Sequence, residues 1–477
     1  MENRKISTGL AFLPLASMAV LVGVGNIKMG IPLEFLLLLA TIIAGLVAYK
    51  VGYSYEEMFE AYALKIKKAF PAILILVAIG GVVGTWMFSG TVPMMIYYGL
   101  KFLNPQYVMI TAFLVTALIS TFTGTSWGSA ATSGVAFMGI AQSMGLPLAP
   151  VAGAVLGGAV FGDKVSPVSD TTNISAMASE ISVYEHIRGM LPNVIGAGII
   201  TSVIFVVMGI TNTGSLTELT AEANLVLTSL DQMYNFDGFN VILLLIPAAI
   251  IFVGGIKGYD PLILMVSSSI TAIILGIALN GFTIVDGATA LISGFNLQMV
   301  PHEIANMSPQ IEALVTRGGF QGMISGAVLF CFLAMPFGAF MEISGALHKI
   351  VETLETFVKG RLSLIFTSFG TAAVLNGVTG NGQFTLLTTG DMYGEAFDDK
   401  RLPRNVLSRT MENGVTVLES LMPWHVTAIY MSTTLGVATL DYLPWAIFNL
   451  SSVGLYFILA IVNFSGTKNL VEKSEIA

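Results

Sequence analysis

The stretch APVAGAVLGGAVFGDKVSPVSDTTN, residues 149–173, starts as a run of small and apolar residues and then places Asp163, Lys164 and Asp170 close together. From Pro147 to Glu185 the chain runs 39 residues, nearly twice the roughly 20 that one apolar helix needs to span a hydrocarbon layer. Something must break it. Pro167 has no N–H and clashes with the preceding turn, and Gly162 weakens the helix just before it. A break here frees backbone carbonyls and leaves half-helix ends whose partial charges point into the gap. Asp163, Ser166, Ser169, Asp170, Thr171, Thr172 and Asn173 stand around that gap, each carrying a side-chain oxygen.

The rest of the chain sets the context. Of 477 residues, 55% are hydrophobic and 10% charged, against about 25% charged in a soluble domain. Apolar segments fall near 9–27, 31–49, 69–88, 106–122, 129–143, 147–161 and 189–210, then near 238–256, 261–280, 321–341, 362–376, 384–397, 403–420 and 443–464. The chain therefore reads as an all-α polytopic membrane protein. The period-2 alternation of a β-barrel is absent. No basic footprint for nucleic acid exists, and the single cysteine, Cys331, rules out an internal disulfide and a thiolate metal cluster. The N-terminal MENRKISTGLAFLPLASMAVLVGVG has a basic end and an apolar run but no clear cleavage site, so it reads as a first membrane helix.

Seven segments lie on each side of residues 211–238, which hold four carboxylates and no Lys or Arg and read as an outside loop. The expected units are an N-terminal repeat (1–210), an extracytoplasmic linker (211–237), a C-terminal repeat (238–467) and a cytoplasmic tail (468–477). Arg4 and Lys5, the cluster Lys65, Lys67 and Lys68, Lys257, Lys349 with Lys359 and Arg361, Lys400 with Arg401 and Arg404, and Lys468 with Lys473 all fall inside when crossings are counted from a cytoplasmic N-terminus. An odd number of crossings per half turns the second half upside down relative to the first, the inverted-repeat plan of secondary transporters. At an offset of 256, TGTSWGSAATSG (123–134) lies over TGNGQFTLLTTG (379–390), Asp163 over Glu419, Pro167 over Pro423 and Thr171 over Thr427. The short paired segments 106–122 with 129–143, and 362–376 with 384–397, meet at Gly, Ser and Thr-rich tips. They read as two re-entrant hairpins beside about ten crossings, or as full crossings giving up to 14.

Oxygen donors suit hard cations such as Na+. An isolated ionised carboxylate at bilayer depth costs roughly 2.5 to 3.5 kcal/mol on insertion scales, so it tends to take up a proton or hold a cation. One site cannot do both at once, which is the minimal basis of cation/proton exchange. The structural alternative is that Asp163 or Asp170 pairs with Lys164 or Arg188 and simply holds a broken helix together. Lys164 points about 100° from Asp163 on a helix, so an Asp170 to Lys164 bridge is the more natural pair. In the second half, Arg409, Glu412, Asn413, Glu419 and His425 crowd one span. Arg409 and Glu412 suit an i, i+3 pair. Glu419 is the mate of Asp163, and His425 suits either proton relay or a satisfied core histidine. Thr125 and Ser126, with their mates Asn381 and Gly382, read as hairpin tips offering oxygens to a substrate. The GTSWG string fits a nucleophile elbow only with a preceding strand and a sheet, and His302 with Glu303 lacks the second histidine of a zinc site.

The strings GTSWG, GAVFGDKVSPVSDTTN followed by EHIRGM, and LSRTMENGVTVLESLMPW followed by TLGVATLDYLPWAIFN resemble the NhaC-type sodium/proton antiporter family. That resemblance implies an ion pathway through Asp163, Ser166, Asp170, Thr171 and Thr172, no cofactor, Na+ and H+ as partners, and a multi-pass place in the cell membrane with both termini cytoplasmic. Inverted-repeat transporters of this kind are often homodimers. The family often shows a Glu-Asp-Ser-Gly-Thr type string and Pro-Trp-Asn, where this chain has ENGVT and PWH. It also includes carboxylate exchangers of malate/lactate type, and VTVLES and PWAIF lie slightly closer to that branch. The rival readings are an organic-anion exchanger coupled to Na+ or H+, a membrane hydrolase using Ser126, and a channel.

Overall fold

The computed structural model describes residues 6–211, 216–301, 312, 314–316 and 318–462. Arg4, Lys5, His302, Glu303, Lys468, Lys473 and the tail 468–477 lie outside the described residues. All regular structure among the described residues is helical. Among the described residues nine helices are long and apolar enough to cross a bilayer, or ten if the pair Thr439–Trp445 and Ile447–Ile461, bent by 58°, counts as one span. The N-terminal run reads through as one helical span, Thr8–Asn26.

Helix ends follow the local chemistry. Ser54 and Glu57 form a capping box that starts the 35-residue helix Tyr55–Ser89, and Gly90 ends it in the left-handed region at φ 89°. At 1.5 Å per residue this helix is about 52 Å long, so its charged first turns extend beyond a hydrocarbon layer of roughly 30 Å. The stretch 211–238, read from sequence as a loop, contains the helix Leu216–Met233. Its polar residues masked an amphipathic face: Val226, Ser229, Leu230 and Met233 are buried. Thr91–Phe102, Ile284–Ser293 and Val426–Leu435 are also helical and fell outside the apolar runs.

The register of 256 reappears in local geometry. Val108–Thr123 ends at Gly124 (φ 67°, ψ 24°) and Arg361–Thr379 ends at Gly380 (φ 62°, ψ 21°). Thr125 and Asn381 then cap the following helices by accepting from the N–H groups of Gly128 and Phe384. Further on, Leu148–Val165 stops at Ser166 and the chain restarts at Ser169, the cap of Asp170–Ala178. In the second half the corresponding stop is at Met422 and the cap is His425, ahead of Val426–Leu435. The halves differ before that point, because the second unwinds at Gly414 and places Glu419 on a short 3-10 turn.

Small residues let the first-half helices meet closely. A Cβ on Gly158 would stand 2.3 Å from the Phe113 carbonyl oxygen, and one on Gly162 would stand 2.4 Å from both Ala117 O and Thr121 N. Ser120 Oγ donates to Ala159 O at 2.6 Å across the same contact. Such close backbone approach is how helices associate where lipid removes the hydrophobic drive. Replacing Gly158 with Leu is therefore expected to destabilise the fold by about 1–3 kcal/mol or more through overpacking, read as a lower unfolding temperature in detergent. Gly370→Ala, inside the helix Arg361–Thr379 where an added Cβ meets nothing within 4 Å, should not lower that temperature.

Candidate functional site

Where Leu148–Val165 ends, Asp163 and Lys164 occupy its last turn, both buried. The Lys164 ammonium lies 2.9 Å from Asp163 Oδ2, 2.8 Å from Glu412 Oε2 and 3.0 Å from Thr171 Oγ1. Its three N–H donors are thereby all used. Ser169 Oγ donates to Asp163 Oδ1 at 2.9 Å, and Thr171 Oγ1 donates to Oδ2 at 3.2 Å. Glu412 also accepts from the Thr416 hydroxyl. This network corrects two expected pairs. Lys164 bridges Asp163 and Glu412, not Asp170, because those two carboxylates and the Thr171 hydroxyl take up its three donors. Glu412 accordingly turns to Lys164, while Arg409 donates to the Gly189 carbonyl at 3.3 Å.

The remaining residues of the first break divide into two groups. Ser166 Oγ accepts from Val168 N, Thr172 Oγ1 donates to the Asp163 carbonyl, and the Asn173 amide donates to the carbonyls of Pro167 and Ser169. These three oxygen-bearing side chains, read from sequence as cation ligands, are spent on backbone groups that the break exposes. Asp163, Asp170 and Thr171 instead line a cavity of about 1360 Å³. Asp170 is exposed to it without an ion-pair partner among the described residues.

The cavity also reaches Thr125, Ser126, Asn381, Glu419, His425 and Thr427, bringing both hairpin tips and the second break to the same space. Thr427, at the position matching Thr171, lines the cavity together with Glu419. Glu419 Oε2 lies over the second tip, 2.9 Å from where a Cβ on Gly382 would be. His425 Nδ1 accepts from Thr427 N at 3.2 Å and its Nε2 lies 3.1 Å from Asn376 Oδ1. Both ring nitrogens of His425 are thereby engaged. The halves are also joined at the first tip. Trp127 stacks on Tyr430 at 4.2 Å, and the Tyr430 hydroxyl donates to the Trp127 carbonyl at 2.5 Å.

One buried titratable group was missed in the sequence. His186, on Val183–Thr211, is fully buried with its Nε2 3.9 Å from Glu412 Oε1. The only available signal was an ionisable residue within the EHIRGM string at the start of an otherwise apolar span.

With the site in view, comparison with known proteins gives a consistent answer. The model of the Na+/H+ antiporter family matches residues 99–210 and 158–464. An uncharacterized Na+/H+ antiporter of Haemophilus influenzae is 41% identical over 94% of each chain. The malate-2H+/Na+-lactate antiporter of Bacillus subtilis is 32% identical over 94% of each chain. The Na+/H+ antiporter NhaC of Alkalihalophilus pseudofirmus is 30% identical, again over 94% of each. Coverage of this extent across both halves, including every residue of the two breaks, places the chain in the Na+/H+ antiporter family.

Proposed function

We propose that the protein is a secondary antiporter of the cytoplasmic membrane that exchanges Na+ for H+, with both termini cytoplasmic and its halves arranged as inverted repeats. The observation that carries this reading is Asp163: a carboxylate at a helix break, on the wall of a large cavity, collared by the hydroxyls of Ser169 and Thr171. A hydroxyl donates or accepts as required. Without a cation the two hydroxyls donate to the carboxylate; with Na+ at Asp163 they rotate to offer lone pairs to it. Asp170, beside them on the cavity wall, adds negative charge that draws the cation in. Lys164 stays charged, held by two carboxylates, and limits how tightly the cation binds. Protonation within this network releases it. Glu419 with Thr427 forms the corresponding station of the second half.

A second reading is an organic solute carried with the cation or proton. The cavity, at about 1360 Å³, is far larger than a bare ion needs, and the Bacillus subtilis relative is by its name a malate and lactate exchanger. Arg409, the residue that suited a carboxylate cargo in the sequence, is not among the groups lining the cavity, which presents Lys65 and Lys68 instead. The named relatives are antiporters, which supports transport over hydrolysis at Ser126.

Asp163→Asn is expected to lower Na+-dependent proton movement in everted vesicles by about 100-fold or more, as loss of a buried charged partner implies; full retention would remove Asp163 from the pathway. Labelled malate or lactate entering proteoliposomes only when a Na+ gradient is imposed would establish the second reading. Lys164→Met leaves two buried carboxylates uncompensated and is expected to cost about 3–5 kcal/mol, seen as a lower unfolding temperature in detergent. Adding Glu412→Gln to that variant should recover part of the loss.

A further inference from the structure

His186 and Glu412 take no part in the cation site, yet they are the most completely enclosed titratable pair beside it. Both are 0% exposed. Both ring nitrogens of His186 and Oε1 of Glu412 have no hydrogen-bond partner among the described residues. A buried polar atom left unpaired is costly, and two of these three, His186 Nε2 and Glu412 Oε1, face each other across 3.9 Å, a separation that one shared proton would bring into use. The pair lies behind Lys164: Asp163 lines the cavity, whereas Lys164, Glu412 and His186 do not.

The charges around the pair are few. Leu148–Val165 contributes Asp163 and Lys164, and Asp170–Ala178 contributes Asp170 at the cavity. Arg404–Gly414 contributes Glu412 and Arg409, the latter directed to Gly189 O and bearing on Tyr456 of Ile447–Ile461. Glu419 bears on Lys164 from the cavity side. Val108–Thr123 carries no titratable residue, and the turn Pro105–Tyr107 packs at the other end of the His186 helix, with Gln106 beside Gly209. On its own helix Glu185 and Arg188 sit outside the buried pair.

We propose that the proton exchanged for the cation is carried by the His186–Glu412 pair, on the side of Lys164 away from the cavity, and not by the carboxylate that holds the cation. This rests on the reading of Asp163 as the cation site. Asp163, Lys164 and Glu412 together carry one net negative charge in a buried place, and two different events neutralise it. A proton on the His186–Glu412 pair does so from one end; Na+ at Asp163 does so from the other. Arrival of Na+ makes the buried proton surplus, so the N–H bond of the His186 imidazolium breaks and the proton leaves to water as hydronium. Departure of Na+ reverses the step. Cation and proton thus exclude each other through one shared ammonium without meeting at one atom.

The test separates exchange from coupling in proteoliposomes holding the full chain. Wild type should show both 22Na+/Na+ exchange at equal pH and Na+-driven proton movement, the latter read with an internal pH dye. His186→Gln is expected to keep the exchange and to lose Na+-driven proton movement by about 100-fold, the scale of a positioned proton carrier. Retention of coupled proton movement in that variant overturns the proposal and leaves the cation site standing; so does loss of both modes in monodisperse protein. Asp163→Asn should lose both modes, and its retention of exchange refutes the cation-site reading instead. A measurement on unaltered protein keeps the proposal open to failure if the variant does not fold. With 15N-labelled histidine, added Na+ should convert one imidazolium signal, absent in His186→Gln, to neutral imidazole, and an unchanged histidine spectrum overturns the proposal.

Discussion

Everything at the centre of this protein depends on one ammonium group between two carboxylates. Lys164 is buried, its three donors are filled, and its partners come from opposite halves of the chain. Burying a charge without partners is prohibitive in an apolar setting, so the helix carrying Lys164 and the helix carrying Glu412 must stay within reach of each other. That requirement fixes where the first helix can break, which hydroxyls can surround Asp163, and how near the second half approaches. Further polar contacts between the halves lie nearby: Asn193 donates to Asn413 Oδ1 and Ser452 Oγ, and Ser175 donates to the Ser408 carbonyl.

Positions related by the offset of 256 match only in part at this site. Asp163 and Glu419, Ser169 and His425, and Thr171 and Thr427 stand at matching positions of two breaks. Lys164 has a serine, Ser420, as its mate, and Glu412 has Leu156. The first break therefore carries a compensated carboxylate and the second an uncompensated one. The two halves thus differ in charge at several such positions, Asp170 opposite Val426 among them.

Much of the architecture was legible in the letters, because apolar runs of about 20 residues and a proline beside glycine act locally. The register of 256 could be read by sliding the chain on itself, and helix ends recur at that spacing at Gly124 and Gly380 and at Ser166 and Met422. What could not be read was pairing at a distance. Glu412 is remote from Lys164 in sequence, and an i, i+3 neighbour such as Arg409 is the only partner that local spacing can suggest. Similarly, Ser166, Thr172 and Asn173 carry the same oxygen donors as Thr171, but whether a side chain turns to a freed carbonyl or to the cavity is decided by the path of the broken chain. The helix Leu216–Met233 escaped notice because its buried face includes a serine and its composition is polar overall.

The aromatic clasp between Trp127 and Tyr430 has a mechanical consequence. A stacked pair locked by a hydroxyl to a main-chain carbonyl fastens the tip of the first hairpin to the broken helix of the second half. Together with the lysine bridge it gives the two halves two separate ties beside the cavity, so parting them on this side would leave a buried charge unpaired and a stacked pair broken at the same time.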